Sequence, residues 1–147
     1  MVMGDFLERL KGRWVQTKTE NMDAIYVASQ ASYIKRKVAQ MMTVHLQVEY
    51  PNPTSMFMSF QSKLKNMDMN LSFDGPSPHL SLSDEQVEST VKLEGDQMIL
   101  HTTGMAYGET TRFFTFNGEN ELIIKQQIKE VIGTRWFERE NQPPKAA

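Results

Sequence analysis

The stretch Ile128-Lys129-Glu130-Val131-Ile132-Gly133-Thr134-Arg135-Trp136-Phe137-Glu138-Arg139 decides how this chain is read. Branched and aromatic residues fill most of its positions, which suits a β-strand. Residues two apart on a strand share a face. Val131, Gly133, Arg135 and Phe137 therefore point one way, and Ile132, Thr134, Trp136 and Glu138 the other. The first face is mostly apolar and carries one cation. Alternation alone leaves two arrangements open: Arg135 faces an interior, or Trp136 takes the inside and Arg135 meets water. An unpaired buried cation is costly, so an inward Arg135 needs an anionic partner.

The same period of two runs back through most of the chain. Val44, Leu46, Val48 and Tyr50 form one series, stopped by Pro51-Asn52-Pro53. Met56, Met58, Phe60 and Ser62 form the next. Met67, Met69, Leu71 and Phe73 end at Asp74-Gly75-Pro76. Val87, Ser89, Val91 and Leu93 precede the turn Glu94-Gly95-Asp96. Met98, Leu100 and Thr102 lead to a loop with Gly104 and Gly108. Thr111, Phe113 and Thr115 run to Asn117-Gly118, and Leu122, Ile124, Gln126 and Ile128 follow. Turn signals at this spacing predict an antiparallel barrel or sandwich.

Before these strands, Phe6 to Leu10 reads as a short apolar lead-in and Gly12-Arg13-Trp14-Val15-Gln16 as a first strand. Asn21 to about Met42 is the only long helical stretch. Met22, Ile25, Tyr26 and Ser29 give one stripe at helical spacing; Ala31, Ile34, Val38 and Met41 give another. Ser29-Gln30 marks a break between two short helices. A closed barrel of about ten strands has more room inside than side chains fill, and this helical pair is the candidate cover. The many inward methionines fit either an adaptable cavity wall or an ordinary core.

The chain has 147 residues, 39% of them hydrophobic, with a formal net charge of −2. That length fits one domain. The charge balance argues against a general nucleic-acid binder. With no cysteine, disulfides and cysteine-based metal sites are excluded. Asp5, Glu8 and Arg9 interrupt the N-terminal segment, so a signal peptide is not expected. No apolar run approaches a membrane span of roughly 18 residues. His45, His79 and His101 are isolated and read as ordinary polar residues. No G-x-S-x-G turn or glycine-rich phosphate loop is present. Asp84-Glu85 and Glu138-Arg139-Glu140 read as solvated charge.

From Phe6 to Arg139 the chain resembles the intracellular lipid-binding proteins, the fatty acid-binding protein family of the calycin superfamily, and an invertebrate member is expected. Gly12-Arg13-Trp14 is similar to the family's G-x-W, and Glu20-Asn21-Met22-Asp23 to the E-N-F-D that starts its helices. Arg36-Lys37-Val38-Ala39 with Met41 resembles R-K-V-A-x-M. Lys65-Asn66, Ser89-Thr90 and Thr110-Thr111 are similar to further strand signatures. Thr134-Arg135-Trp136-Phe137-Glu138-Arg139 resembles the closing T-R-x-Y-E-R.

The resemblance implies an all-β fold: a ten-stranded antiparallel up-and-down β-barrel of the clam, lipocalin-like type, with a helix-turn-helix lid. It implies one domain over residues 1–140 and a flexible tail over 141–147. It turns Arg135 inward, toward the carboxylate of a long-chain fatty acid, with Thr115 and Gln126 as polar support. The family's second interior arginine falls on Thr115; Arg112 has the other parity. The usual tyrosine after the first arginine is Phe137. Met22, Ile25, Tyr26, Ala39, Met41, Leu46, Phe60, Ser62, Ile124 and Phe137 are the expected cavity residues. Leu64 and Leu82, with Tyr26 and Ala28, are expected at the entrance.

The function implied is intracellular binding and transport of a long-chain fatty acid or related acidic lipid. It is non-enzymatic and without cofactor or metal, and the carrier is a cytoplasmic monomer, with nuclear entry a secondary reading. The alternatives are a lipid-loaded chaperone delivering to a nuclear receptor or membrane, a retinoid carrier and, least favoured, an enzyme acting on a lipid ester. Lys35, Arg36 and Lys37 would form the surface for anionic membranes or nuclear passage.

Overall fold

The computed structural model describes residues 3–140, with the side chain of Met3 excluded. The expected tail, 141–147, lies outside the described residues. Ten antiparallel strands form one sheet in the order β4-β3-β2-β1-β10-β9-β8-β7-β6-β5. They are β1 (Gly12–Glu20), β2 (His45–Asn52), β3 (Ser55–Gln61), β4 (Asn66–Ser72), β5 (Ser77–Leu80), β6 (Gln86–Glu94), β7 (Gln97–Met105), β8 (Gly108–Asn117), β9 (Glu121–Ile128) and β10 (Val131–Arg139). Three helices accompany them: α1 (Met3–Leu10), α2 (Met22–Ala28) and α3 (Tyr33–Gln40). The sheet curls so that its two edge strands, β4 and β5, approach each other. Ser77 Oγ accepts the Ser72 N–H at 2.8 Å there, a side-chain bridge across the seam. Pro78 sits in β5, which pairs only with β6. Proline is tolerated on such an edge because no ladder bond needs its missing N–H.

One end of the barrel is solid. The segment read as a lead-in is the helix α1, and its Phe6 and Leu10 are buried against Trp14. The Phe6 and Phe116 ring centroids lie 4.9 Å apart, and the Trp14 indole N–H donates to the Leu10 carbonyl at 2.9 Å. The Arg139 guanidinium lies over Trp14 and donates to the carbonyls of Lys11, at 2.7 Å, and Arg9. A cation on the last carbonyls of a helix satisfies groups the helix itself leaves unpaired. Met56, Met58, Met69 and Met98 join this packed mass, so most of the inward methionines are core.

The other end is hollow beneath α2 and α3. Met22 and Ile25 of α2 pack with Ile128. They approach β10 so closely that a Cβ at Gly133 would stand 2.6 Å from Ile25 Cγ1 and 2.7 Å from Met22 Sδ. Asn21 adopts a left-handed backbone at the start of α2, and its amide donates to the Ile132 carbonyl at 2.8 Å. Helix α3 buries no residue. The second apolar stripe does not form a core face, since Ile34 is 73% and Met41 81% exposed. The reason is geometric: α3 spans a hollow rather than resting on packed side chains. It is held instead by Asp23 of α2, which accepts from Arg36 at 3.0 and 3.3 Å and from Gln40 at 2.8 Å.

Candidate functional site

Strands, lid helices and loops together bring nine of the expected residues to one cavity of about 540 Å³. Ile25, Tyr26, Ala39, Phe60, Ser62, Leu82, Ile124, Gln126 and Arg135 all line it. That volume falls within the ~300–1,000 Å³ typical of small-molecule sites. Leu46 and Phe137 point the same way along their strands but lie deeper, fully buried in the solid end. Met22 is held in the helix–barrel contact and borders a separate side pocket of about 260 Å³. Met41 and Leu64 are mainly exposed and do not line the cavity. Ala28 packs beside Met22 and Ile25.

Thr115 is a clear correction. On β8, Thr110 and Phe114 are buried, so the inward phase is Thr110, Arg112, Phe114 and Phe116. Thr115 takes the outer phase opposite Ile123, and Arg112 lines the cavity. The interior therefore holds two arginines, not one. Arg112 is paired across the strands with Gln126. Arg135 is paired with Ile124, two residues along β9.

Their surroundings differ. Arg135 donates to Gln16 Oε1 at 2.6 Å and to the Tyr26 hydroxyl at 2.7 Å. Arg112 lies with its guanidinium carbon 5.4 Å from the Phe60 ring centroid, and no described residue accepts a hydrogen bond from it. Burial pushes its pKa down to about 10; the Tyr107 phenol opposes this and the Arg135 charge adds to it. Among the described residues the charged lining is Lys35, Lys65, Arg112 and Arg135 against the single carboxylate Glu85. That carboxylate is already engaged, accepting from the Ala106 N–H and Ser83 Oγ, each at 2.9 Å. A chain of net charge −2 thus encloses a positive cavity.

The basic triplet is divided. Lys35 lines the cavity, Arg36 is tied to Asp23, and the Lys37 ammonium lies 5.3 Å from the Tyr33 ring centroid. His79, read as an ordinary polar residue, also lines the cavity. Its Nε2 is 2.7 Å from Ser89 Oγ, a histidine–hydroxyl contact that sequence spacing did not show. Ser89 is 1% exposed and does not line the cavity, so it is not presented to a substrate as a nucleophile is.

No protein-family model and no curated protein matches the chain. Solved structures do. A fatty-acid-binding protein 1 of Echinococcus granulosus superposes with a TM-score of 0.83 at 19% identity, covering 91% of this chain and 99% of its own. The fold is that of the fatty acid-binding proteins. A Schistosoma mansoni fatty acid binding protein in complex with arachidonic acid gives 0.82 at 17% identity, over 92% of this chain and 98% of that one. Human cRBP IV gives 0.76 at 18% identity, over 89% and 98%. Within this fatty acid-binding-protein fold, the closed lower half and the positive upper cavity are properties of the present sequence.

Proposed function

We propose that this chain binds and carries an acidic lipid, a long-chain fatty acid or close relative, with the carboxylate on Arg112 and Arg135. The observation that carries the reading is the pair of guanidiniums in a cavity whose only carboxylate is already engaged. A carboxylate matches the guanidinium fork with two parallel hydrogen bonds. It would offset the cost of holding Arg112 charged away from water. The apolar side of the cavity, with Ile25, Val44, Phe60, Met67 and Ile124, receives the tail. Each buried methylene contributes roughly 0.8 kcal/mol, so the tail supplies most of the affinity and the arginines set its direction.

Retinol and other lipid alcohols fit less well, because they leave both guanidiniums without an anion. The carrier acts inside the cell and performs no chemistry on its lipid. Native extraction followed by mass spectrometry of the bound fraction tests the reading. A long-chain acid in equimolar amount supports it. Recovery of only neutral lipids, or of none after incubation with a fatty acid mixture, overturns it.

A further inference from the structure

The inner face of β5 to β8 carries a row of hydroxyls, of which Thr102 and Thr110 line the cavity. Ser77 pairs with Ser89, Ser89 with Thr102, and Thr102 with Thr110, all on the inner face and all buried. Buried hydroxyls cost stability unless they are bonded, and a wall that only had to contact hydrocarbon would favour valine or alanine. The two ends of the row have structural tasks. Ser77 holds the seam through the Ser72 N–H, and Thr110 donates to the Gln127 carbonyl at 3.3 Å. Between them, the Ser89 hydroxyl contacts Thr102 Oγ1 at 2.6 Å and His79 Nε2 at 2.7 Å, and among the described residues Thr102 Oγ1 bonds to Ser89 alone.

The direction of these bonds can be worked out. His79 Nδ1 lies 3.0 Å from the Leu80 carbonyl, which can only accept, so Nδ1 carries the proton. In neutral His79, Nε2 is then an acceptor, and the Ser89 hydroxyl must donate to it. The Thr102 hydroxyl in turn donates to Ser89 Oγ. Burial and the nearby Arg112 charge both disfavour a second proton on His79, although the Leu80 carbonyl works the other way. The relay therefore ends at Thr102 Oγ1, on a residue that lines the cavity, with acceptor lone pairs that no described donor reaches.

From this we infer that Thr102 receives a hydroxyl of the ligand, so that the preferred lipid is a hydroxylated long-chain acid rather than a plain one. The inference rests on the proposed acid-binding function and narrows it. The polarity is specific: a hydroxyl donates to Thr102, whereas a ketone at the same carbon brings a second acceptor to an acceptor.

The test is titration of the full chain with octadecanoic acid, a set of hydroxyoctadecanoic acids differing in hydroxyl position, and the matching oxo acids. At least one hydroxy acid should bind about three- to tenfold tighter than octadecanoic acid, the effect of one net hydrogen bond, and its oxo counterpart should not. In Thr102→Val the preference should vanish while octadecanoic acid still binds. In Ser89→Ala the Thr102 hydroxyl is released to donate, and the gap between hydroxy and oxo acid should narrow. Hydroxy acids that bind no better than octadecanoic acid, or a preference that survives Thr102→Val, overturn the inference and leave acid binding standing. No binding of octadecanoic acid by the unaltered chain overturns the underlying function as well.

Discussion

Arg135 of β10 and Tyr26 of α2 are joined by a hydrogen bond of 2.7 Å. Both residues line the main cavity and the side pocket, so the bond lies between the two spaces. It also fastens the lid to the barrel wall. On the proposed reading, an incoming carboxylate would compete with Tyr26 for the same guanidinium. Tyr26→Phe should therefore lower stability by about 1.5–3 kcal/mol, the range for a hydrogen bond to a charged group. It should also raise amide exchange in α2. Unchanged exchange in α2 would show that the bond does not hold the lid.

Gly133 leaves no room for a side chain under α2. A methyl group there would meet Ile25 Cγ1 and Met22 Sδ well inside contact distance. Gly133→Ala should cost about 1–3 kcal/mol, as overpacking does, and lift α2 from β10. Urea denaturation measures the loss, and faster release of a bound fluorescent fatty acid reports the displaced lid. A variant as stable as the parent would contradict the packing described.

The His79 pKa lies below its ordinary value of 6.5, mainly through burial. Below pH 6.5 the unfolded chain takes up a proton there more readily than the folded one. Stability is therefore retained above that pH and falls as pH drops through the lowered folded value. Asp23, whose carboxyl is held below its ordinary 3.8 chiefly by Arg36, matters only in more acidic solution. His79→Gln should flatten the loss of urea stability that sets in as pH falls below 6.5. An equal loss in the variant would assign that pH dependence to other groups.

Most of the barrel was legible because inner and outer faces differ in chemistry. Met56, Met58 and Phe60 alternate with Phe57 and Ser59, and the all-apolar phase is the inner one. Strand β8 defeats this test, since Phe113 sits in one phase and Phe114 and Phe116 in the other. The burial of Phe114 decides the phase, and with it the identity of the second arginine. The edge strand β5 was hidden because Pro78, a residue that interrupts strand patterns, stands inside its four residues. Leu46 and Phe137 have the expected parity, but parity does not tell depth, and α1 fills the level at which they sit. The contact between His79 and Ser89 joins residues ten apart through strand pairing, which no local pattern reveals.

The central claim is that the cavity recognises an acid through Arg112 and Arg135. Its most direct measurement is the affinity of octadecanoic acid and of octadecanol for the parent chain, Arg112→Gln and Arg135→Gln. Loss of a charge-assisted hydrogen bond predicts a roughly 10- to 100-fold weaker acid in Arg112→Gln. Arg135→Gln should lose less, because the Arg135 guanidinium already has neutral partners. The alcohol should bind the three proteins about equally. Acid and alcohol weakened to the same extent in Arg112→Gln, or an acid unaffected by either substitution, would contradict the account.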